Sequence, residues 1–507
     1  MQDCKLTWGE IHTHTNLSDG NGSLEDNMTI ARSHLDFWAS ADHAWDAEVF
    51  SLDYRETSPP GMVLNDHWAD VQAICRETEA PGTFIPLLAY EWTNFRYGHH
   101  NVYYLDYDQP IRMPPTLPEL YASLDGIDAF VIPHHTAYPV GVCGKDWDVH
   151  DDALTPFVEL YSMHGSSEEP GDLVPLVRPG SWMGPGASGG SVQEALARGC
   201  RLGIMASSDS HEDHPGAYDN GLIAAVVPQL TRASLWDAFR ERRIYGVTGD
   251  RIELDFSIDG LPMGSVIRGG EVRRIAVKVS AWDAVERIDL IRNNELVESF
   301  IEPRGADDDD ARRVRFRFMV EWGWDRLGAR DWTGALRLAD GRIRRAVLCY
   351  RGSVASRIGR GITHRDDGTC RWTSTTEKPA TNKLTRRSAD MIAFEVECGR
   401  DAPLTLELAC DGLRREIALT ADEIMHDATV AYMENIPPTN DGAYWHGMTS
   451  YAKVKIHRGR RTAALTLDIE HEDHRSVSTD SGTDFYYVRV IQKNGQRAWS
   501  SPIWVEH

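Results

Sequence analysis

The sequence predicts an α/β domain over residues 1–250, followed by a β-rich, sandwich-like region over residues 251–507. In the first half, short apolar strands alternate with helical stretches, the pattern of a largely parallel sheet or barrel. In the second half, one strand pattern follows another, punctuated by Gly, Asn and Asp as in Asn293-Asn294 and Lys493-Asn494-Gly495, which suggests one or two β-sandwich units. Histidine use divides the chain at the same place, since 13 of the 20 histidines precede residue 250.

In the first domain, residues 35–40, 83–90, 128–133, 157–161 and 201–206 read as strands. Residues 23–33, 67–79 and 192–198 carry helical periodicity. In the second, strands are predicted over 271–280, 287–293, 313–321, 391–397, 404–409 and 462–469. The polar, Thr- and Arg-rich stretch 353–388 reads as a long loop or insertion, and the acidic run 307–310 as a solvated loop.

Composition excludes several classes. The 507 residues leave room for two to four domains, and 41% hydrophobic with 26% charged residues is ordinary for a soluble globular protein. No apolar run approaches the roughly 20 residues that span a bilayer. Met1-Gln2-Asp3-Cys4-Lys5-Leu6 has neither a basic segment nor an apolar one, so the expected location is cytoplasmic. The eight cysteines are scattered without a CxxC pair, so they read as reduced structural thiols. A net charge of −24 repels nucleic-acid backbones, making long nucleic acid an unexpected partner. A small anionic substrate stays compatible, because a metal cluster reverses the local field.

Histidines and carboxylates recur just past the C-terminal ends of the apolar strands, the edge where parallel α/β folds build their sites. In Trp8-Gly9-Glu10-Ile11-His12-Thr13-His14 the two histidines point to one side of a strand, as a chelating pair would. Asp19 lies in the turn Leu17-Ser18-Asp19-Gly20. His43 follows Asp42 at a strand end, and Glu91 ends another, where its two oxygens can bridge two ions. Gly98-His99-His100 opens an apolar run, Pro133-His134-His135 closes one, and Ser208-Asp209-Ser210-His211 follows another. Each element alone is as well explained by an ordinary turn, salt bridge or surface pair. Together they form the mixed imidazole–carboxylate set that suits Zn, Mn or Fe.

The order HxH, Asp, His, Glu, His, His, DxH resembles the PHP family, named for polymerase and histidinol phosphatase domains, among the amidohydrolase-like hydrolases. The resemblance covers about residues 6–250. The opening Trp8–His14 segment and the closing Ala498-Trp499-Ser500-Ser501-Pro502-Ile503-Trp504 are also similar to a PHP-like branch of unknown function, across nearly the whole chain.

The resemblance implies a distorted (β/α)7-type barrel holding two to three divalent ions (Mn, Zn or Fe). His12, His14, Glu91 and Asp209 would hold the first. Glu91 would bridge to a second held by His99 and His134, and Asp19, His43 and His211 would surround a third. Of the adjacent pairs, His99 and His134 are preferred as ligands, with His100 and His135 left to support the ligands from outside or to face substrate. Glu159, also at a strand end, is expected to support a ligand from outside.

These residues imply metal-assisted hydrolysis, of a phosphoester first, with Asp209, His211 and Glu91 as catalytic groups. Arg96 and Lys145, in nearby loops, are candidates to pair with substrate anions. A carboxylic ester, lactone or amide is the alternative target, since the same chemistry attacks a carbonyl carbon. A metal-stabilised saccharide- or partner-binding protein is the alternative from another class, with tryptophans such as Trp322, Trp324, Trp445 and Trp499 as stacking faces. The Gly-rich stretch 184–190 matches no phosphate-loop spacing and reads as a flexible loop or lid.

Overall fold

Strand β1 (Lys5–Glu10) is buried over its last four residues because it is paired on both edges. It runs parallel to β2 (Phe37–Trp38) and antiparallel to β11 (Leu222–Val227). Gly9 permits the close approach of β2: a Cβ there would stand 2.3 Å from the Phe37 ring. The computed structural model describes residues 4–44, 64–169, 176, 185–211, 214–270, 272–301, 312–324, 329–352, 360–377, 388–434, 452–474 and 482–507. The acidic run 307–310, Trp445 and the Gly184 end of the Gly-rich stretch lie outside them.

The chain forms two compact units, residues 1–279 with 286–301 and 468–507, and residues 280–285 with 302–467. The expected boundary at residue 250 therefore falls inside the first unit, and the C-terminal strands return to it. Ile244–Val247 (β12) pairs antiparallel with Arg497–Ser500.

In the first unit, β3 (His43–Ala44), β4 (Ile85–Pro86), β5 (Leu88–Trp92), β6 (His100–Tyr104), β7 (Ala129–Pro133), β8 (Phe157–Ser162), β9 (Gly165–Ser166) and β10 (Gly203–Ala206) complete the strands around β1. Helices α1 (Leu24–His34), α2 (Trp68–Thr78), α3 (Leu117–Ser123), α4 (Val192–Ala197) and α5 (Arg232–Arg240) intervene. Ser23, Thr116, Ser191 and Thr231 cap four of them, each accepting a backbone N–H in the first turn.

The expectation of a largely parallel sheet needs correction. β2–β4, β3–β5 and β8–β10 are parallel, but β6 runs antiparallel to both β5 and β7. The reason is chain length: a parallel return needs a crossover of about a dozen residues, and the 93–99 loop is too short for one. The reversal brings the start of β6 to the same rim as the ends of β5 and β7.

Backbone hydrogen bonds link these strands into a closed circuit. Ala41 N–H donates to Thr13 O and Glu91 N–H to Asp42 O. β5, β6 and β7 are paired in order, and Val131 N–H donates to Leu154 O, just before β8. Ser207 N–H donates to Tyr161 O, and Asp209 N–H returns to His12 O at 2.9 Å. Beneath lies an apolar core that includes Phe37, Phe130, Phe157, Trp236 and Phe239, with Phe130 stacked on Trp236 at 4.0 Å.

The second unit is a sandwich. One sheet is built on Arg313–Gly323 and Ala389–Gly399, the other on Arg330–Leu338, Thr369–Thr376 and Pro403–Cys410. Phe316, Phe318 and Trp322 of one sheet share a core with Trp332, Trp372 and Leu406 of the other. The 353–388 expectation is corrected here, since Gly361–Arg365 and Thr369–Thr376 are paired strands. Threonine misled the reading: it is polar, but β-branched and at home in a strand, and Cys370, Trp372 and Ser374 alternate inward. Residues 353–359 and 378–387 lie outside the described set.

None of the eight cysteines forms a disulfide. No helix among the described residues is long and apolar enough to cross a membrane.

Gly9→Ala should cost about 1–3 kcal/mol, because the added methyl forces β1 from β2. Urea unfolding of the full chain checks this, and an unchanged midpoint would show that the ring moves aside freely.

Candidate metal centre

Strand alternation brings His12 and His14 to one side beyond the end of β1. The loop that follows is fixed by one wholly buried carboxylate. Asp42 accepts from Thr15 N–H at 2.6 Å, from Thr15 Oγ1 at 2.9 Å, from Ser18 Oγ at 2.7 Å and from Ser40 Oγ. Gly20 packs on the His14 backbone, where a Cβ would come within 2.4 Å, and Asp19 is thereby turned back toward the histidines. His43 on β3 is the register partner of Glu91 on β5. His99 precedes β6, His134 follows β7, and Asp209 and His211 lie past β10.

Glu91 is the centre of the arrangement. Its Oε2 lies 3.5 Å from His12 Nε2, 3.5 Å from His14 Nε2 and 3.6 Å from His134 Nε2. Its Oε1 lies 3.1 Å from His43 Nδ1 and 2.9 Å from His99 Nδ1, and accepts from Thr93 Oγ1 at 3.0 Å. Asp209 Oδ1 is 3.4 Å from His12 Nε2 and 3.2 Å from His14 Nε2. Asp19 Oδ1 is 3.5 Å from His43 Nε2 and 3.2 Å from His211 Nε2. Asp209 and His135 hold φ values of 50° and 35°, in the left-handed region.

The residues fit divalent ions. His12 Nε2, His14 Nε2, His99 Nε2 and both ring nitrogens of His134 are buried and make no hydrogen bond, an unfavourable state unless something else meets them. Donors around one tetrahedral ion at about 2.0–2.2 Å lie about 3.4 Å apart, which matches the nitrogen–oxygen spacings around Glu91 Oε2 and Asp209 Oδ1. Four overlapping groups have donor atoms within 4.8 Å of one another: His14, Asp19, His43 and His211; His99, His134 and His135; His12, His134 and Asp209; and His12, His14 and Glu91.

Protonation suits the same purpose. Burial pushes Glu91 and Asp209 up, yet the facing histidines, His43 first for one and His12 first for the other, hold both well below the usual carboxylate range. Burial, reinforced by neighbouring rings, holds His134 and His135 well below the ordinary histidine value and so in the neutral, ligating form. Burial also opposes charge on His12, but Asp209 and Glu159 raise it.

All nine residues expected as ligands (His12, His14, Asp19, His43, Glu91, His99, His134, Asp209, His211) fall within these groups. His14 joins Asp19, His43 and His211 as well as His12 and Glu91, so the groups overlap more than three separate shells would. Of the residues expected to face substrate, His135 lies within a metal-capable group instead. His100 does not: its Nδ1 meets Gly98 O at 2.9 Å and its ring lies against Trp92. Lys145 is wholly buried and donates to Val149 O, which corrects the expectation that it reaches a substrate. Arg96 is exposed on its loop, its guanidinium 5.1 Å from the Tyr97 ring. The Gly-rich stretch is no loose lid over its described residues, since Ala187 N–H donates to Ala137 O and Gly189 N–H to Glu194.

Glu159 accepts from His12 Nδ1 at 2.8 Å, an orienting contact for an imidazole whose other nitrogen faces the centre. Sequence reasoning passed over His164, whose Nε2 lies 3.1 Å from Asp209 Oδ2. Its signal was the one used elsewhere, a histidine just past a strand end, here β8.

No family model matches the chain. Three curated relatives are uncharacterized proteins of Chlamydia. That of Chlamydia pneumoniae is 25% identical over 322 residues, 58% of this chain and 48% of the relative. That of Chlamydia trachomatis serovar D is 25% identical over 325 residues, with 58% and 49% covered. That of Chlamydia muridarum is 28% identical over 316 residues, with 58% and 49% covered. The chain thus spans about half the length of the curated relatives it matches. Among solved structures, a two-domain protein from Bacteroides vulgatus containing a predicted PHP-like metal-dependent phosphoesterase is 11% identical, with a TM-score of 0.34, over 83% of this chain and 96% of that one. A likeness that slight carries no argument about function.

Glu159→Ala should weaken divalent-metal affinity about 10–100-fold by freeing the His12 ring. Competition against a chelating dye measures this, and unaltered affinity would show that His12 is held without Glu159.

Proposed function

We propose that this chain is a metal-dependent hydrolase, of the PHP type, acting on a phosphoester. The observation that carries the reading is Glu91, whose two oxygens face different sets of histidines: His12, His14 and His134 on one side, His43 and His99 on the other. Such a carboxylate suits two neighbouring ions and is more than a closed structural site would use. The closed circuit of backbone bonds between neighbouring strands supports a distorted barrel as the scaffold, and the overlapping donor groups support two to three Mn, Zn or Fe ions as the complement.

Bound there, divalent ions would supply Lewis acidity toward water and toward an ester oxygen. His12, His14, His99, His134, Glu91 and the inner oxygen of Asp209 would hold them, with Asp19, His43 and His211 at the outer side. Asp209 and His211 are the groups we assign to proton movement. Both lie on the loop past β10, and the His211 side chain is 29% exposed against 4% for Asp209, so the pair leads from the interior toward solvent. The net charge of −24 weighs against a nucleic-acid partner, and a small anionic substrate is compatible with it where bound metal reverses the local field.

One observation favours a second reading, hydrolysis of a carboxylic ester, lactone or amide. Lys145, the cation expected to meet a substrate anion, is wholly buried with its ammonium on Val149 O. A neutral carbonyl substrate needs no such partner.

The test is a chromogenic panel of phosphomonoesters, phosphodiesters, carboxylic esters and lactones, run on protein stripped with chelator and reloaded with Mn or Zn. Phosphoester turnover that disappears on stripping, returns on reloading and falls at least about 100-fold in Asp209→Ala is expected. Turnover of carbonyl esters alone would overturn the phosphoester reading. Turnover that survives complete stripping would overturn the metal-dependent one.

A further inference from the structure

His164 lies two residues past the end of β8, and nothing in the ligand pattern calls for it. Its Nε2 stands 3.1 Å from Asp209 Oδ2, and its Nδ1 stands 2.8 Å from the hydroxyl of Tyr138. We propose that His164, held by Tyr138, is a positioning residue that occupies the outer oxygen of Asp209 and leaves that carboxylate a single oxygen for a divalent ion. The proposal rests on the metal-hydrolase reading above.

The direction of the bond to Asp209 is set by chemistry. A carboxylate only accepts, so the proton between His164 and Asp209 belongs to Nε2. On its other side Nδ1 meets the Tyr138 hydroxyl at 2.8 Å, which accepts from a charged ring or donates to a neutral one. Tyr138 is wholly buried and its ring also packs on His135 at 5.2 Å. The loop itself is tied to the strand end it serves. Met163 N–H donates to Ser208 O at 2.9 Å, and His164 N–H donates to Ser162 Oγ at 3.2 Å.

The other oxygen of Asp209 faces inward, 3.4 Å from His12 Nε2 and 3.2 Å from His14 Nε2. The carboxylate is thus divided, one oxygen toward the ligands and one toward His164. The division matters because a carboxylate freed of its outer partner can swing to grip an ion with both oxygens. That adds a protein donor where a hydrolytic site needs an open position. On this account His164 does not bind the ion; it keeps a place on the ion free.

The experiment compares wild type, His164→Ala, His164→Gln and Tyr138→Phe, each stripped and reloaded with cobalt(II). His164→Ala should keep its cobalt content and melting temperature, shift the visible cobalt spectrum toward higher coordination, and lose about 10–100-fold in kcat. His164→Gln carries an amide that can donate to Asp209 Oδ2, so it should restore the spectrum and most of the rate. Tyr138→Phe should fall between. A His164→Ala protein with wild-type spectrum and kcat would overturn the proposal. So would a Gln variant as impaired as Ala with a matching drop in melting temperature, which marks a purely structural residue. If wild type turns over none of the esters, the hydrolase reading fails, and the cobalt spectra still decide whether His164 sets the geometry of Asp209.

Discussion

Taking a carboxylate out of water is strongly unfavourable unless positive or hydrogen-bonding partners replace the water. Glu91 is 1% exposed, and it is ringed by nitrogens of His12, His14, His43, His99 and His134. Five imidazoles cannot all be protonated side by side, because their charges repel. Cations at the centre resolve both difficulties together. They would neutralise the carboxylates and take up nitrogen lone pairs that make no hydrogen bond within the chain. Much of the first unit follows from holding this one cluster in place.

The holding is done by backbone more than by side chains. Strand ends at β1, β3, β5, β7 and β10 meet at one rim, and main-chain bonds such as Asp209 N–H to His12 O bind neighbouring ends together. Buried carboxylates outside the centre, Asp42 and Glu159, then fix the loop that carries Asp19 and the ring of His12. The left-handed backbone of Asp209 is tolerated because bonds on both sides of it leave no alternative.

Much of this was legible in the sequence. Residue types and their placement past apolar runs marked the strand ends, and a period of two placed His12 and His14 together. The capped helices could be found because Ser23 and Ser191 stand just before their apolar patterns. What could not be read has physical causes. Adjacent histidines are decided by local backbone geometry, and the left-handed turn at His135 brings it among the donors, where simple alternation would have sent it away. Lys145 reads as an exposed cation, because nothing local announces that its loop folds inward. The reversal of β6 was in principle visible in the short 93–99 connection. The strand Thr369–Thr376 hid behind polar but β-branched residues, and the return of Arg497–Ser500 to β12 spans a separation no local pattern records.

The most direct test of the metal centre is the metal content of the chain after chelator stripping and reloading with Mn or Zn, by mass spectrometry of wild type and Glu91→Gln. If Glu91 serves two ligand groups, wild type should carry about two to three ions per chain and the variant should lose more than one of them. A wild type holding less than one ion per chain, or a Glu91→Gln protein with its full complement, would contradict it.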